Sequence, residues 1–166
     1  TVSNTAPTCG ITEQLLLNPG FESGNVTWSA SSGVIANNSS TARTGSWRAL
    51  LGGKGVTTTH TLHQQLTIPA TACAATVRFW LKITTAETTT GTQYDKLAVE
   101  IQSSTGTVLG TLATYSNLNK GTAYVERSFD VSAYKGQTIR VAFKATEDVS
   151  LQTSFFVDDS SLTITR

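Results

Sequence analysis

Apolar and polar residues alternate with a period of two along much of the chain. In ATVRFWLKIT (75–84), apolar V, F, L and I occupy every second position, and R, W and K fall between them. The stretches DKLAVEIQ (95–102) and QTIRVAFKAT (137–146) repeat this alternation. Because successive side chains of a β-strand point to opposite faces, each stretch predicts a strand with one apolar and one polar face.

Turn-forming residues such as Asn18-Pro19-Gly20 and Ser104-Thr105-Gly106 separate the alternating stretches. No stretch keeps the 3.6-residue period of a helix. We therefore predict strands near residues 14–17, 26–31, 33–37, 46–52, 59–68, 75–84, 94–103, 107–114, 123–131, 137–146 and 153–165. So many antiparallel strands with one apolar face each predict an all-β fold, a two-sheet antiparallel β-sandwich or jelly roll.

Length and charge limit the possible functions. A chain of 166 residues can bury a core as one domain. We assign residues 13–166 to the sandwich module and residues 1–12 to a linker or N-terminal extension. A formal net charge of +1 gives no basis for binding nucleic acid or an acidic membrane. No apolar run reaches the length of a membrane span, so we expect no membrane partner. We also expect the module to be monomeric.

Two cysteines, Cys9 and Cys73, leave two alternatives. They form one disulfide that closes a long loop, or they are two free buried thiols. A secreted protein favours the disulfide, because disulfides persist in oxidising compartments.

The sequence offers little for catalysis. His60 and His63 are three residues apart in a predicted strand, which directs them to opposite faces. The acidic doublets 147–148 and 158–159 are adjacent pairs that point apart in a strand, and no G-x-S-x-G motif occurs. We therefore predict that the protein is not an enzyme.

A polar face around Trp80 is the candidate binding surface. Sugars present apolar C–H patches rimmed by hydroxyls, and an aromatic ring among charged groups suits them. We expect the ligand-binding residues to be Trp80, Arg78, Lys82, Tyr94, Glu100, Arg140 and Lys144. In the alternative interpretation, the Thr-rich loop at 84–93 covers Trp80 and makes it a second small core.

Asp158 stands out in the stretch FFVDDSSL (155–162). Regular alternation places it on an otherwise apolar face with Phe156, Leu162 and Ile164. A buried charge without a partner is strongly unfavourable, so Asp158 requires a cation, Arg48 or backbone N–H groups.

Four short segments carry a resemblance to a known group: LLLNPGFESG, TARTGSWRALLGG, ATVRFWLKI and TSFFVDDSSLTI. In this order they resemble the jelly-roll modules of secreted bacterial hydrolases, the galactose-binding-like and carbohydrate-binding-module group. The later half, from YDKLAVEIQ to FKATED, is most similar to C-terminal accessory domains of secreted bacterial peptidases. The resemblance covers nearly everything after residue 13, and it implies a secreted, extracellular protein.

The resemblance also implies a structural calcium ion between the first and last strands. Its implied ligands are Glu22 and Asp158, with further oxygens from Asn18 or Gly20 and from the stretch Ser46–Arg48. Calcium takes six to eight oxygen ligands, which carboxylates and turn carbonyls supply.

Three functions follow as hypotheses. The first is a non-catalytic carbohydrate-binding accessory module of a secreted bacterial enzyme, whose partner is a polysaccharide or glycan. The second is a C-terminal accessory domain of a secreted peptidase that aids folding, secretion or docking on a protein substrate. The third is an adhesin-like domain that associates through its sheet edges.

Overall fold

The computed structural model describes residues 8–166 and contains eleven β-strands in this range. The strands are β1 (Thr12–Gln14), β2 (Ser29–Ala30), β3 (Ile35–Asn37), β4 (Trp47–Gly52), β5 (Thr58–Thr67), β6 (Ala74–Thr85), β7 (Lys96–Ser103), β8 (Val108–Ser116), β9 (Val125–Asp130), β10 (Thr138–Glu147) and β11 (Thr153–Thr165). Two three-residue 3₁₀ helices lie at Asn117–Asn119 and Ser132–Tyr134. No helix among the described residues is long and apolar enough to cross a membrane.

The strands form two antiparallel sheets. Sheet A has the order β3-β4-β11-β6-β9, and β1 also pairs with β11. Sheet B has the order β2-β5-β10-β7-β8. The predicted two-sheet sandwich is confirmed, and each predicted strand corresponds to an observed one, although the first lies slightly earlier than predicted.

The core lies between the two sheets and is built from the apolar positions of the alternating stretches. Phe79 of sheet A meets Phe143 of sheet B edge to face, with ring centroids 5.1 Å apart. Both side chains are almost completely buried, as are Val99 and Phe155. Edge-to-face pairs of this kind add to the stabilisation that apolar burial provides.

A β-bulge changes the phase of β11. Asp158 pairs with Trp80 and Leu162 pairs with Val77, and the register shifts between Asp158 and Ser161. Four steps along β11 therefore match three along β6, which means that one extra residue lies between these pairs. Leu162 faces the core, whereas Asp158 points to the outer face of sheet A, the face directed away from sheet B. The single face predicted for Phe156, Asp158, Leu162 and Ile164 is therefore wrong.

Cys9 and Cys73 form a disulfide, with Cα atoms 6.1 Å apart. This confirms the predicted pairing over the alternative of two free thiols. The backbone of Ile11 also exchanges two hydrogen bonds with Arg166, both 2.8 Å long. The sandwich thus takes in residues before the predicted start at residue 13, while positions 1–7 of the predicted extension lie outside the described residues.

Candidate functional site

Trp80 points outward from sheet A, as predicted, but its ring is covered. The guanidinium of Arg43 lies over it, with Cζ 3.5 Å from the ring centroid. Arg43 belongs to the loop at 38–46, between β3 and β4, and not to the loop at 84–93 that was considered for this role. One side of the ring predicted to receive a sugar is therefore occupied by the chain itself, although Trp80 stays partly exposed.

The loop at 38–46 is held down at a second point. The hydroxyl of Tyr124 donates to the carbonyl oxygen of Thr41 (2.7 Å), and Nε of Arg48 donates to the Thr41 hydroxyl (3.0 Å). Burial raises the pKa of Tyr124, and the charge of Asp158 raises it further. Burial also lowers the pKa of Arg48, against the nearby charge of Asp158. The loop at 38–46 is thus fixed to the outer face of sheet A by side chains of β4 and of the segment before β9.

Asp158 is fully buried and is satisfied by backbone donors. Its Oδ2 accepts the N–H of Arg43 (2.8 Å) and that of Thr44 (3.4 Å), and its Oδ1 accepts the N–H of Asp159 (2.8 Å). Burial raises the pKa of Asp158 to about 6, although the N–H groups of Arg43, Asp159 and Thr44 oppose this shift. Backbone N–H groups, two of them from the loop at 38–46, therefore compensate the buried charge of Asp158.

Glu22, which follows the turn Asn18-Pro19-Gly20, also has its carboxylate bound by backbone N–H groups. Its carboxylate accepts the N–H of Ser46 (3.0 and 3.1 Å to the two oxygens) and the N–H of Trp47 (3.0 Å). Gly45 has φ +63°, and a Cβ at this position would collide with the Glu22 carboxylate. Only glycine lets the loop approach this closely.

The predicted calcium ligands do converge on one corner of the molecule. A Cβ on Gly20 would lie 3.8 Å from Cγ of Glu22 and 4.0 Å from Oδ1 of Asp158. However, the two carboxylates already accept amide N–H groups, and a cation would have to displace some of these donors. The residues at this corner therefore fit a calcium ion poorly, and calcium there stays a prediction.

Three predicted ligand-binding residues lie on the other sheet. Glu100 is in β7, and Arg140 and Lys144 are in β10, so all three belong to sheet B. The prediction that they share a face with Trp80, Arg78 and Lys82 is wrong, because alternation along a strand does not reveal which sheet the strand joins.

The outer face of sheet B collects polar side chains across adjacent strands. Ala142 pairs with His63 on one side and Glu100 on the other, and Arg140 pairs with Gln65 and Gln102. The Arg140 guanidinium donates to Ser104 O (2.6 Å) and to Gln65 Oε1 (3.4 Å). These bonds fix the position of the guanidinium beside Gln65 and Ser104.

Further groups on this face are poised to form hydrogen bonds. Nε2 of Gln102 donates to Glu100 (2.8 Å). Burial lowers the pKa of His63, and the charge of Arg140 lowers it further, so that the imidazole is neutral at pH 7. Tyr94, which precedes β7, is 47% exposed, and its backbone N–H donates to Asn117 (2.9 Å). The surface offers both donors and acceptors to a ligand.

A group of three carboxylates was not predicted from the sequence. Oxygens of Glu87, Asp95 and Asp148 all lie within 4.8 Å of one another, and this group could hold a metal ion. Asp148 was considered only as one half of an acidic doublet. No sequence motif connects the three residues, because they follow or precede three different strands.

The chain is similar to solved structures, but it matches no protein-family model and no curated protein. Among solved structures, the module TmCBM61 in complex with β-1,4-galactotriose is 20% identical, with a TM-score of 0.62, and the match covers 90% of this chain and 97% of that one. A CBM22-1 xylan-binding domain from Paenibacillus barcinonensis is 14% identical, with a TM-score of 0.53, over 89% and 92% of the two chains.

A third similar structure is the K3 cleaved adhesin domain of Lys-gingipain from Porphyromonas gingivalis. It is 13% identical, with a TM-score of 0.59, and the match covers 90% of this chain and 99% of that one. At these identities the likeness concerns the fold. The resemblance seen in the sequence is thereby confirmed at this level: the chain has the jelly-roll fold that carbohydrate-binding modules and this adhesin domain share.

Proposed function

We propose that the protein is a non-catalytic carbohydrate-binding module of a secreted enzyme, and that its glycan lies across the outer face of sheet B. The observation that carries the proposal is the set of partly exposed hydrogen-bonding side chains on this face, whereas the aromatic ring on the outer face of sheet A, Trp80, is covered on one side by Arg43. Modules of the same fold and nearly the same extent include one in complex with galactotriose, a xylan-binding domain and one that recognises mannan.

The chemistry of the face suits sugar hydroxyls, which donate and accept hydrogen bonds. Arg140 and Lys144 donate, Glu100 accepts, and Gln65 and neutral His63 do both. The guanidinium edge of Arg140 can engage two neighbouring hydroxyls at once. Because the proposed contacts include no aromatic ring from these strands, stacking contributes little, and we expect weak, hydrogen-bond-dominated binding.

The proposed function includes one structural calcium ion. The sequence prediction placed it at Glu22 and Asp158, where it competes with the amides of Arg43, Thr44 and Ser46. If it binds there, EDTA lowers the melting temperature of the wild type, and Glu22→Gln reduces this sensitivity. Unchanged EDTA sensitivity in Glu22→Gln contradicts that location.

Depletion from solution onto insoluble galactan, xylan and mannan tests the proposed glycan site. We expect the wild type to bind at least one of them, and the double variant Glu100→Ala/Arg140→Ala to lose this binding. Arg78→Ala/Lys82→Ala is the matched control, because it removes two partly exposed charged side chains from the outer face of sheet A. Loss of binding in the control alone would move the glycan to the Trp80 face and overturn the assignment to sheet B.

A second candidate function is an accessory domain that docks the parent enzyme on a protein substrate. The fold shared with the gingipain adhesin domain favours it. Depletion onto fibrous proteins, with no depletion onto any polysaccharide, would support this function over carbohydrate binding. Analytical ultracentrifugation of the isolated module tests the proposed monomeric state in the same samples.

A further inference from the structure

Three carboxylates meet where the connection after β6, the connection before β7 and the end of β10 come together. These are Glu87, Asp95 and Asp148, whose oxygens all lie within 4.8 Å of one another. Asp95 is completely buried and Glu87 is 7% exposed. The ion pairs found within residues 8–166 involve other side chains, so three acidic groups lie together without a Lys or Arg partner.

Two of these carboxylates are fixed by hydrogen bonds. Oδ1 of Asp95 accepts the N–H of Asp148 (2.9 Å), and Oδ2 accepts the hydroxyl of Thr153 (2.6 Å). Oδ1 of Asp148 accepts the N–H of Ser150 (3.1 Å). The Thr85 hydroxyl lies 2.8 Å from that of Thr153, and it donates because the Thr153 proton is already directed to Asp95. Hydrogen bonds from Thr153 and Ser150 therefore orient the carboxylates of Asp95 and Asp148, and Thr85 in turn orients Thr153.

Glu87 differs from the other two. Its backbone N–H donates to Thr85, but no hydrogen bond in the described part of the chain reaches its carboxylate. The side chain is nevertheless more than nine-tenths buried and directed at two other acidic groups. Burial raises the pKa of Glu87, and the charges of Asp95 and Asp148 raise it further. Three carboxylates this close repel one another, and because no donor reaches the Glu87 carboxylate, a cation between them would relieve the repulsion.

We propose that Glu87, Asp95 and Asp148 bind one calcium ion. Oxygens that share a calcium at about 2.3–2.6 Å are at most about 5 Å apart, so the observed spacing accepts the ion with little movement. All three ligands are hard carboxylate oxygens from irregular connections. Calcium tolerates such irregular geometry, whereas magnesium demands a near-ideal octahedron. Water completes the coordination.

The ion would add to hydrogen bonds that already join these segments, among them the N–H of Ala86 to the carbonyl of Gln152 (2.8 Å). Glu87 stands early in the connection at 86–95, and Asp148 stands in the connection between β10 and β11. Calcium at this point therefore anchors the 86–95 connection to the end of sheet B. This site is separate from the corner of Glu22 and Asp158 and does not depend on the protein binding a glycan.

Titration calorimetry with calcium chloride on EDTA-treated, dialysed protein tests the proposal. We expect saturable binding, with a Kd near the range of about 0.1–1 mM of extracellular calcium modules. Glu87→Gln should weaken binding at least tenfold. The matched control Glu126→Gln, an exposed glutamate on sheet A, should bind as the wild type does.

Melting temperatures in EDTA and in calcium distinguish a calcium ligand from a residue that only supports the fold. In EDTA, Glu87→Gln should melt above the wild type, because it removes like-charge repulsion. In excess calcium the order should reverse. No saturable calcium binding in the wild type, or binding that Glu22→Gln abolishes and Glu87→Gln leaves intact, would overturn the proposal.

Discussion

The guanidinium carbon of Arg43 lies 3.5 Å from the centroid of the Trp80 ring, and Nη1 of the same residue lies 2.8 Å from Oδ2 of Asp159. One side chain of the loop at 38–46 thus covers the outward tryptophan and pairs with the bulge of β11. The backbone N–H of Arg43 also binds Asp158. The loop is held through one residue by three kinds of contact, and one side of the Trp80 ring is covered as a result.

Arg43→Ala should uncover Trp80. We expect red-shifted tryptophan emission, stronger acrylamide quenching and a loss of about 1–2 kcal/mol in the free energy of unfolding, from the cation–π contact and the half-exposed ion pair. The same change in a Trp80→Phe background should leave the emission unaltered, which assigns the signal to Trp80. Unchanged quenching in Arg43→Ala would mean that the loop covers the ring without its arginine.

Asp158→Asn should destabilise the fold by about 2–3 kcal/mol, because the new amide group cannot accept all the N–H donors that face the carboxylate. Urea unfolding at pH 8, where Asp158 with its pKa of about 6 is ionised, measures this, and the loss should be larger at pH 5, because the buried charge destabilises the folded wild type only above that pKa. Asp159→Asn is the control, because it removes a partly exposed ion pair, keeps an oxygen acceptor for the Thr44 hydroxyl and should cost at most about 1 kcal/mol. Equal losses in the two variants would contradict the role given to the backbone donors.

Acidification should weaken the fold through His60. Nδ1 of His60 accepts the N–H of Gly52 (3.0 Å), and burial lowers the pKa of this imidazole, as does the charge of Lys54. Since the folded-state pKa lies below the unfolded value of about 6.5, the unfolded chain binds more protons as the pH falls below that value. The stabilisation is therefore complete above pH 6.5 and is lost as the pH falls through the folded-state pKa.

Denaturant unfolding of the wild type and of His60→Asn at pH 7 and pH 5 checks this sign. Asparagine keeps an acceptor near the position of Nδ1 but does not titrate in this range. We expect the wild type to lose more stability than the variant on acidification. The opposite order would show that protonated His60 finds a better partner than Gly52.

Reduction of the disulfide should destabilise the protein by about 4 kcal/mol, the chain-entropy value for a closed loop of this size, because Cys9 and Cys73 are 64 residues apart. The double variant Cys9→Ser/Cys73→Ser should show the same loss in urea unfolding without reductant. If the variant loses stability and reduction of the wild type has no effect, the disulfide is shielded from the reductant. If neither loses stability, the loop is already restrained without the bond.

The strands could be predicted because alternation and turn residues are local signals. β6 and β10 show this directly, since every second residue of each is buried. Which sheet a strand joins is a long-range property. For that reason Glu100 and Arg140 were wrongly grouped with Trp80, although each was correctly placed on the polar face of its own strand.

The parts that escaped prediction depend on irregular backbone. Arg43 lies in a polar loop without periodicity, and nothing in the sequence directs it onto Trp80. Glu87 and Asp148 are far apart along the chain and meet only because β6 and β10 bring their ends together. Asp159 has φ +47°, a left-handed conformation that cannot be predicted from the residue type alone. It lies in the bulge that shifts the register of β11.

That bulge determines which one-residue deletions the last strand would tolerate. Asp159 and Ser160 together occupy the place opposite Phe79 where a regular strand has one residue. Deleting either would straighten β11 and keep Leu162 facing inward, but the residue that remained would turn towards the core. Loss of Asp159 would leave a small serine there, whereas loss of Ser160 would leave a carboxylate beside a phenylalanine. Two neighbouring deletions of equal length should therefore have very different consequences for folding.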